Sequence, residues 1–262
     1  MSFPYKKVLV IGATSGIGEA LADKLVIEGS SVIATGRRKE NLDKFVQRHG
    51  QGKTDTAVFD ITQLGRIPEF VSKVTTAHDD IDCVILNSGI QRRTDWSEPE
   101  TIDIETVDLE FKTNYLSYIA LTKELIPFLK SKSRDTALIY ISSGLALVPL
   151  PPRSNYCATK AALHQWIMSL RTSLQPTKIK VIEIYPPAVQ TELHDEKHQP
   201  DIKNGRQMGM PLEDFTAEAW DGLVKGLEDI PVGIIKNTYE VFEIKRREVF
   251  GQMLQRLGMG GK

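Results

Sequence analysis

Tyr156 and Lys160 stand four residues apart in Asn155-Tyr156-Cys157-Ala158-Thr159-Lys160-Ala161-Ala162-Leu163, and Ser143 stands thirteen residues before the tyrosine, at the end of an apolar run. On a helix, positions i and i+4 share a face, with Cβ atoms about 5–6 Å apart. A lysine ammonium so placed can press on a phenol. A nearby opposite charge favours the ionised form and lowers a pKa by roughly 1–3. From a free value of about 10, that shift brings tyrosine towards acid–base work. Tyr-x-x-x-Lys alone is a weak signal, because chance produces it often. The plain alternative is a surface helix bearing one aromatic side chain and one solvated lysine.

The elements that must position this pair supply further signals. Val8-Leu9-Val10-Ile11 has the pattern of a buried parallel strand and runs into Gly12-Ala13-Thr14-Ser15-Gly16-Ile17-Gly18. Ile17, Leu21 and Leu25 then recur at helical spacing, and Gly29 is a helix stop. Strand, glycine turn and helix together make a phosphate-cradling motif credible. Gly12 permits the tight turn, Gly16 the approach of a pyrophosphate, and Gly18 close packing of helix on strand, while the helix N-terminus offers N–H groups to phosphate. The spacing here is Gly-x-x-x-Gly-x-Gly. An ordinary tight βα turn is the competing reading.

Further strands are expected at residues 31–35, 56–59, 83–86, 137–141 and 181–185, with helices at about 39–49, 64–78, 105–131 and 155–174. This alternation predicts one α/β domain spanning residues 1–262, a doubly wound parallel sheet with helices on both faces. Residues 192–214 are polar and carry Pro200, Asn204, Gly205, Gly209 and Pro211, so they read as a mobile lid. Past residue 215 the pattern gives at least one helix and a short seventh strand near Val232. Ligands of such sheets bind beyond the carboxyl ends of the strands, and each polar motif falls at such an end.

The chain has 262 residues with 33 Lys plus Arg against 34 Asp plus Glu. That balance gives no electrostatic reason to expect nucleic acid or an anionic membrane. Two cysteines, Cys83 and Cys157, imply no disulfide framework, so a reducing, cytoplasmic setting is expected. Lys6-Lys7 and the following apolar run lack a signal-peptide cleavage pattern, no stretch reaches membrane-spanning length, and Met259-Gly260-Gly261-Lys262 is neither a prenylation nor a peroxisomal signal.

Over about residues 6–192 these features together resemble the classical short-chain dehydrogenase/reductase family. The matching pieces are the Gly12/Gly16/Gly18 turn, Asp60 after the third strand, Asn87-Ser88-Gly89 after the fourth, Asn114, Ser143, Tyr156, Lys160, and Pro186 to Thr191. Gly89-Ile90-Gln91-Arg92, residues 142–149 and residues 186–191 look like one branch, often labelled with D-alanine esterification of lipoteichoic acid; no residue here points to that chemistry. Ile11 replaces the usual threonine, Ser88 the usual alanine, and Pro187 the usual glycine. Pro187 stiffens its loop, since proline fixes φ and removes an N–H.

The resemblance implies a Rossmann-type fold and hydride transfer between a nicotinamide and a carbonyl or alcohol substrate. It makes Tyr156 the proton carrier and Lys160 the residue that lowers its pKa and holds the ribose. Ser143 would then bind the substrate oxygen, and Asn114 would hold a water beside Lys160. Implied cofactor contacts are Gly12, Thr14, Ser15, Gly16, Ile17, Gly18, Arg37, Arg38, Asp60, Ile61, Asn87, Gly89, Tyr156, Lys160, Val189 and Thr191. NAD enzymes of this architecture place an acid near the end of the second strand. Here that region reads Thr35-Gly36-Arg37-Arg38-Lys39, which suits a 2′-phosphate, so NADP is expected. The plain alternative for Asp60 is an N-cap, and for Asn114 a polar residue on a helix's exposed side.

His194 and His198 have a zinc-like spacing but no clear third ligand, so a solvated lid helix is expected there and no metal. Arg92 and Arg93 follow the fourth strand and read as a solvated loop, with reach to an anionic substrate as the alternative; the basic tail around Lys245-Arg246-Arg247 reads as a docked terminal helix, with a membrane contact as the alternative. Apolar residues on two sides of the helices bearing Asn114 and Tyr156 predict a homodimer or homotetramer. Leu145, Leu147, Val148, Leu150, Pro151 and Pro152 predict an apolar pocket wall for medium-sized hydrophobic ketones or aldehydes. The competing functions are an NADP(H)-binding sensor without turnover, and an imine reductase or epimerase on the same fold.

Overall fold

The computed structural model describes residues 2–259; most of the C-terminal tetrapeptide considered above as a targeting signal lies outside the described residues. Strands β1 (Lys7–Ile11), β2 (Ser31–Gly36), β3 (Thr54–Val58), β4 (Cys83–Leu86), β5 (Thr136–Ile141), β6 (Ile179–Tyr185) and β7 (Asp229–Pro231) form one parallel sheet in the order β3-β2-β1-β4-β5-β6-β7. The strand order reverses between β1 and β4, which is where an open sheet of this kind forms its ligand crevice.

The helices are α1 (Gly16–Ile27), α2 (Lys39–His49), α3 (Ile67–Ala77), α4 (Ile104–Phe111), α5 (Ser117–Lys130), α6 (Ser154–Leu174), α7 (Leu212–Val224), α8 (Ile235–Thr238) and α9 (Ile244–Arg256). Alternate strand residues face opposite sides. Val8, Val10, Val32, Ala34, Cys83 and Ile85 pack with Leu21 and Leu25 of α1, Phe45 of α2 and Phe215 of α7. Leu9, Ile11, Ile33, Val84, Leu86 and Tyr140 pack with α3, with Leu121 and Leu125 of α5, and with Leu163 and Ile167 of α6.

Two departures from the sequence expectation bear on the site. The single helix expected at 105–131 is interrupted by a π-turn at Lys112–Leu116 that carries Asn114. Residues 192–214 contain only short 3₁₀ turns, at Glu192–His194 and Gly205–Gln207, before α7 begins. His194 and His198 therefore share no helix, and His194 is buried. Past β7 the chain continues as α8, a second π-turn (Tyr239–Glu243) and α9, the terminal helix expected around Lys245-Arg246-Arg247.

That C-terminal region is tied to α6. The π-turn delivers Glu243 into the interior, with its Oε1 3.2 Å from His164 Nε2, while His164 Nδ1 lies 3.0 Å from Glu183 Oε2. All three side chains are fully buried. Arg247 of α9 donates to Asp229 Oδ1 at 2.8 Å and to the Tyr185 hydroxyl at 3.2 Å. No helix among the described residues is long and apolar enough to cross a membrane.

Candidate active site

Residue by residue, the polar motifs converge beyond the carboxyl ends of β1, β4, β5 and β6. The β1–α1 turn begins at Gly12, whose φ of +88° suits glycine and whose missing Cβ would collide with Ser88. A Cβ on Gly18 would lie 2.1 Å from the Gly12 carbonyl oxygen and 2.4 Å from Asn87 Nδ2. Helix α1 can therefore sit against the strand only because that position is bare. Asn87 Nδ2 donates to the Gly12 carbonyl at 3.0 Å, which fixes the turn from the neighbouring strand. Gly16 faces Thr191 of the loop after β6, and Val189 of that loop is buried. Ser15 is the N-cap of α1 but makes no side-chain cap bond; its hydroxyl turns outward from the helix, to Glu192 and Arg38.

At the end of β2 the two arginines differ. Arg37 is 66% exposed and makes only a 3.6 Å ion pair with Asp60. Arg38 lies on the glycine turn, donating to Thr14 Oγ1 and Ser15 Oγ. Asp60 accepts from the Thr62 amide at 2.9 Å and its hydroxyl at 2.8 Å, so it turns the chain as well as facing Arg37. The Thr62 bonds and Arg37 outweigh burial and hold its carboxyl below the usual range. Ile61 beside it is buried, and Ile17 is partly so.

Ser143, Tyr156, Lys160 and Asn114 are all buried. Ser143 follows β5, and its Oγ accepts from the Leu145 amide at 3.1 Å, which leaves the O–H to donate elsewhere. Tyr156 and Lys160 lie on α6, with the ammonium 5.8 Å from the phenol ring centre. Lys160 Nζ donates to the Ile141 carbonyl at 2.9 Å. A Cβ on Gly89 would lie 3.5 Å from Asn114 Oδ1 and 3.8 Å from Lys160 Nζ, so Gly89 leaves open the space beside both groups. Asn114 is wholly buried rather than on an exposed helix side. Its Oδ1 accepts from the Ile90 amide, while its Nδ2 donates to the Ile90 carbonyl and Thr159 Oγ1. The side chain thus pins the loop after β4 to α6.

Burial pushes the Tyr156 phenol well above its ordinary range, and the nearby Ser143 hydroxyl only partly pulls it back. Burial also draws the Lys160 ammonium down to about 8, against the pull of Glu183. Burial is thus the larger influence on both groups. The phenol has lost its water, and the ammonium is aimed at a backbone carbonyl.

Several polar residues near the site were not anticipated. Glu110 is buried; its carboxylate accepts from the Arg92 amide at 2.6 Å and from Asn155, and burial raises its pKa. Arg92 is partly buried and donates to the Gln91 carbonyl, while Arg93 pairs with Asp95. Gln199 is fully buried, donating to Gln91 Oε1 at 3.0 Å and the Leu193 carbonyl at 2.7 Å, and accepting from Arg153 Nε at 2.8 Å. Arg153 also pairs with Asp201 at 2.7 Å. These bonds anchor the middle of 192–214. Only a polar residue in a polar stretch marks Gln199 in the sequence, so no pattern could single it out. Glu192 is different: an acid beside Thr191, with Arg37-Arg38 elsewhere at the same sheet edge, is a legible charge complement. Leu145 and Leu147 are partly buried and Val148 to Pro152 exposed. A cleft of 540 Å³ lies at the opposite end of the sheet, lined by Tyr5, Asp135, Lys178 and Arg247, and includes none of Ser143, Tyr156 or Lys160.

A Rossmann-type crevice with a serine, a tyrosine and a lysine at its carboxyl edge defines a class of dinucleotide-dependent oxidoreductases. The family model described as short chain dehydrogenase matches residues 6–201, and the chain belongs to that family. It is 29% identical over 255 residues to "Uncharacterized oxidoreductase DltE" of Bacillus subtilis (strain 168), covering 97% of this chain and 98% of that one. It is also 29% identical over 246 residues to "NADP-dependent 3-hydroxy acid dehydrogenase YdfG" of Salmonella typhi, covering 90% and 94%. Among solved structures, a short chain dehydrogenase from Burkholderia cenocepacia J2315 in complex with NADP superposes with a TM-score of 0.78 at 24% identity, covering 97% of this chain and 99% of that one.

Proposed function

We propose that this protein is an NADP-dependent reductase of medium-sized hydrophobic ketones or aldehydes, working in the cytoplasm as a homodimer or homotetramer. The observation that carries the reading is the convergence of Ser143, Tyr156 and Lys160 beside the β1–α1 turn. The residues present fit a dinucleotide phosphate. The turn is bare where a Cβ would intrude, the N-cap hydroxyl of α1 makes no cap bond, and two guanidiniums stand at the end of β2. The bound cofactor supplies the hydride. The protein supplies the rest: Ser143 donates its O–H to the substrate oxygen where negative charge develops, and Tyr156 Oη delivers the proton to that oxygen. Lys160 lies one helical turn beyond Tyr156 on α6 and, by the family resemblance, would hold the ribose hydroxyls; a positive charge beside the phenol would lower the cost of a phenolate. Asn114 keeps the loop after β4 in register with α6, and its role in holding a water near Lys160 follows from the family resemblance. The partly exposed apolar run at 145–152 forms one wall of the substrate site, and residues 192–214, anchored through Gln199, cover it.

A carbonyl panel followed by NADPH absorbance tests the reading. The reverse assay, NADP+ with a 3-hydroxy acid, should accompany it, since that is the compound class in the name of the Salmonella typhi relative. At least one hydrophobic carbonyl should oxidise NADPH well above the blank. Tyr156→Phe should abolish turnover while leaving NADPH affinity nearly unchanged, because it removes the proton donor and little else. Turnover within about threefold of wild type in a folded Tyr156→Phe protein would sink the mechanism, since loss of a positioned general acid costs about 10²–10⁴-fold.

A further inference from the structure

Glu192 opens the 192–214 segment, and its carboxylate reaches back over the β1–α1 turn. Oε1 accepts from Ser15 Oγ at 2.5 Å and from Arg38 Nη1 at 2.6 Å. Arg38 Nη2 donates to Ser15 Oγ at 2.6 Å, and Nε and Nη2 donate to Thr14 Oγ1 at 3.1 and 3.0 Å. One carboxylate oxygen therefore engages a hydroxyl at the N-terminus of α1 and a guanidinium at the end of β2. Those are the donors that a phosphate on the adenosine ribose needs at this edge of the sheet. Carboxylate and phosphate are both oxyanions, and one serine hydroxyl cannot donate to both.

We infer that Glu192 is an internal competitor for the cofactor's 2′-phosphate: its carboxylate must leave Ser15 and Arg38 before that phosphate can take them. The inference rests on the NADP reading above. Two consequences follow. Glu192 weakens NADPH binding relative to NADH, which has no such phosphate. Its departure also frees the first turn of 192–214, so arrival of the phosphate is transmitted to the segment beside the substrate site. If the carboxylate holds its partners about nine-tenths of the time, apparent affinity falls about tenfold.

Isothermal titration of wild type, Glu192→Gln and Glu192→Ala with NADPH, NADH and 2′,5′-ADP tests this. The Kd for NADPH and 2′,5′-ADP should fall about tenfold in both variants, with NADH changed by less than about twofold. A gain of affinity cannot be imitated by misfolding. Unchanged or weaker NADPH binding overturns the inference. So does an equal gain for NADH, because Glu192 would then screen the pyrophosphate. In the wild-type protein, 2′,5′-ADP but not ADP should speed proteolysis near Leu193; equal rates count against the competitor. Wild-type protein that binds NADH and not NADPH would overturn the NADP reading itself, and this inference with it.

Discussion

At the scale of single residues, the two guanidiniums after β2 divide their work. Arg38 is already engaged by Glu192, Ser15 and Thr14, whereas Arg37 is exposed and holds only a long contact to Asp60. Arg37 thus meets the 2′-phosphate without first displacing Glu192, while Arg38 joins only after that exchange, so Arg37 should carry the larger share of the NADP preference. A charge-assisted hydrogen bond contributes roughly 1.5–3 kcal/mol, so Arg37→Ala should raise the KM for NADPH at least about tenfold and leave that for NADH almost unchanged. Equal losses would mean that the residue supports the loop instead. The sequence exposed the reactive types well, because serine, tyrosine and lysine at these spacings have few other reasons to occur together. It could not expose their energetics. Spacing on a helix brings Lys160 near Tyr156, but the phenol's pKa depends on burial and on Ser143, which lies far from it in sequence.

At the scale of elements, the strands and the first helices were legible because their apolar patterns have the right period and end on glycine or polar residues. Asn114 illustrates the limit. A π-turn carries the same residues as an α-helix, and nothing in Lys112-Thr113-Asn114-Tyr115-Leu116 signals the extra residue per turn that directs Asn114 to Ile90 and Thr159. The C-terminal region was less legible still, since Glu243 looks like one more surface acid until His164 is placed opposite. Burial works against a charge on His164, yet the Glu183 and Glu243 carboxylates outweigh it and hold the imidazole at about 9. Tyr185, Arg247, Arg246 and Lys160 also surround this site, with Asp229 behind Tyr185 and Arg247. A raised folded pKa contributes stability that is fully present below the unfolded value of about 6.5. It is lost as pH rises through about 9. Wild-type Tm should therefore lose ground to His164→Gln between these two pH values, with the variant less stable at acidic pH. Lys160, depressed to about 8, works in the opposite sense, since its cost eases as pH rises. It is present in both proteins, so the difference between them isolates His164. A constant gap in Tm across that range would count against a protonated His164.

At the scale of the molecule, α4, the adjoining π-turn and α6 carry apolar surface beyond what the sheet buries. Tyr118, Leu121, Leu163 and Ile167 face the core, whereas Ile104, Leu109 and Leu116 are exposed and Phe111, Tyr115 and Trp166 only partly covered. A second copy packed there would cover this surface, as in a symmetric dimer whose two patches are the same. Light scattering at micromolar concentration should give at least about twice the chain mass of 29.3 kDa. A monomer mass across that range would refute the assembly. Composition could suggest spare apolar surface but not its location, because helix periodicity alone does not say which stripe the sheet takes.

Both thiols of this chain are buried and unpaired, Cys83 in the strand between β1 and β5 and Cys157 beside Tyr156, and burial raises the pKa of each. Neither reacts readily as a thiol. Alkylation therefore times two different openings of the same molecule. Cys157 Sγ accepts from the Leu150 amide at 3.3 Å, so it is uncovered when the loop carrying Leu150 lifts. Cys83 is reached only when the sheet itself comes apart. The protein thus carries its own pair of clocks, one for breathing of the Leu150 loop and one for global unfolding.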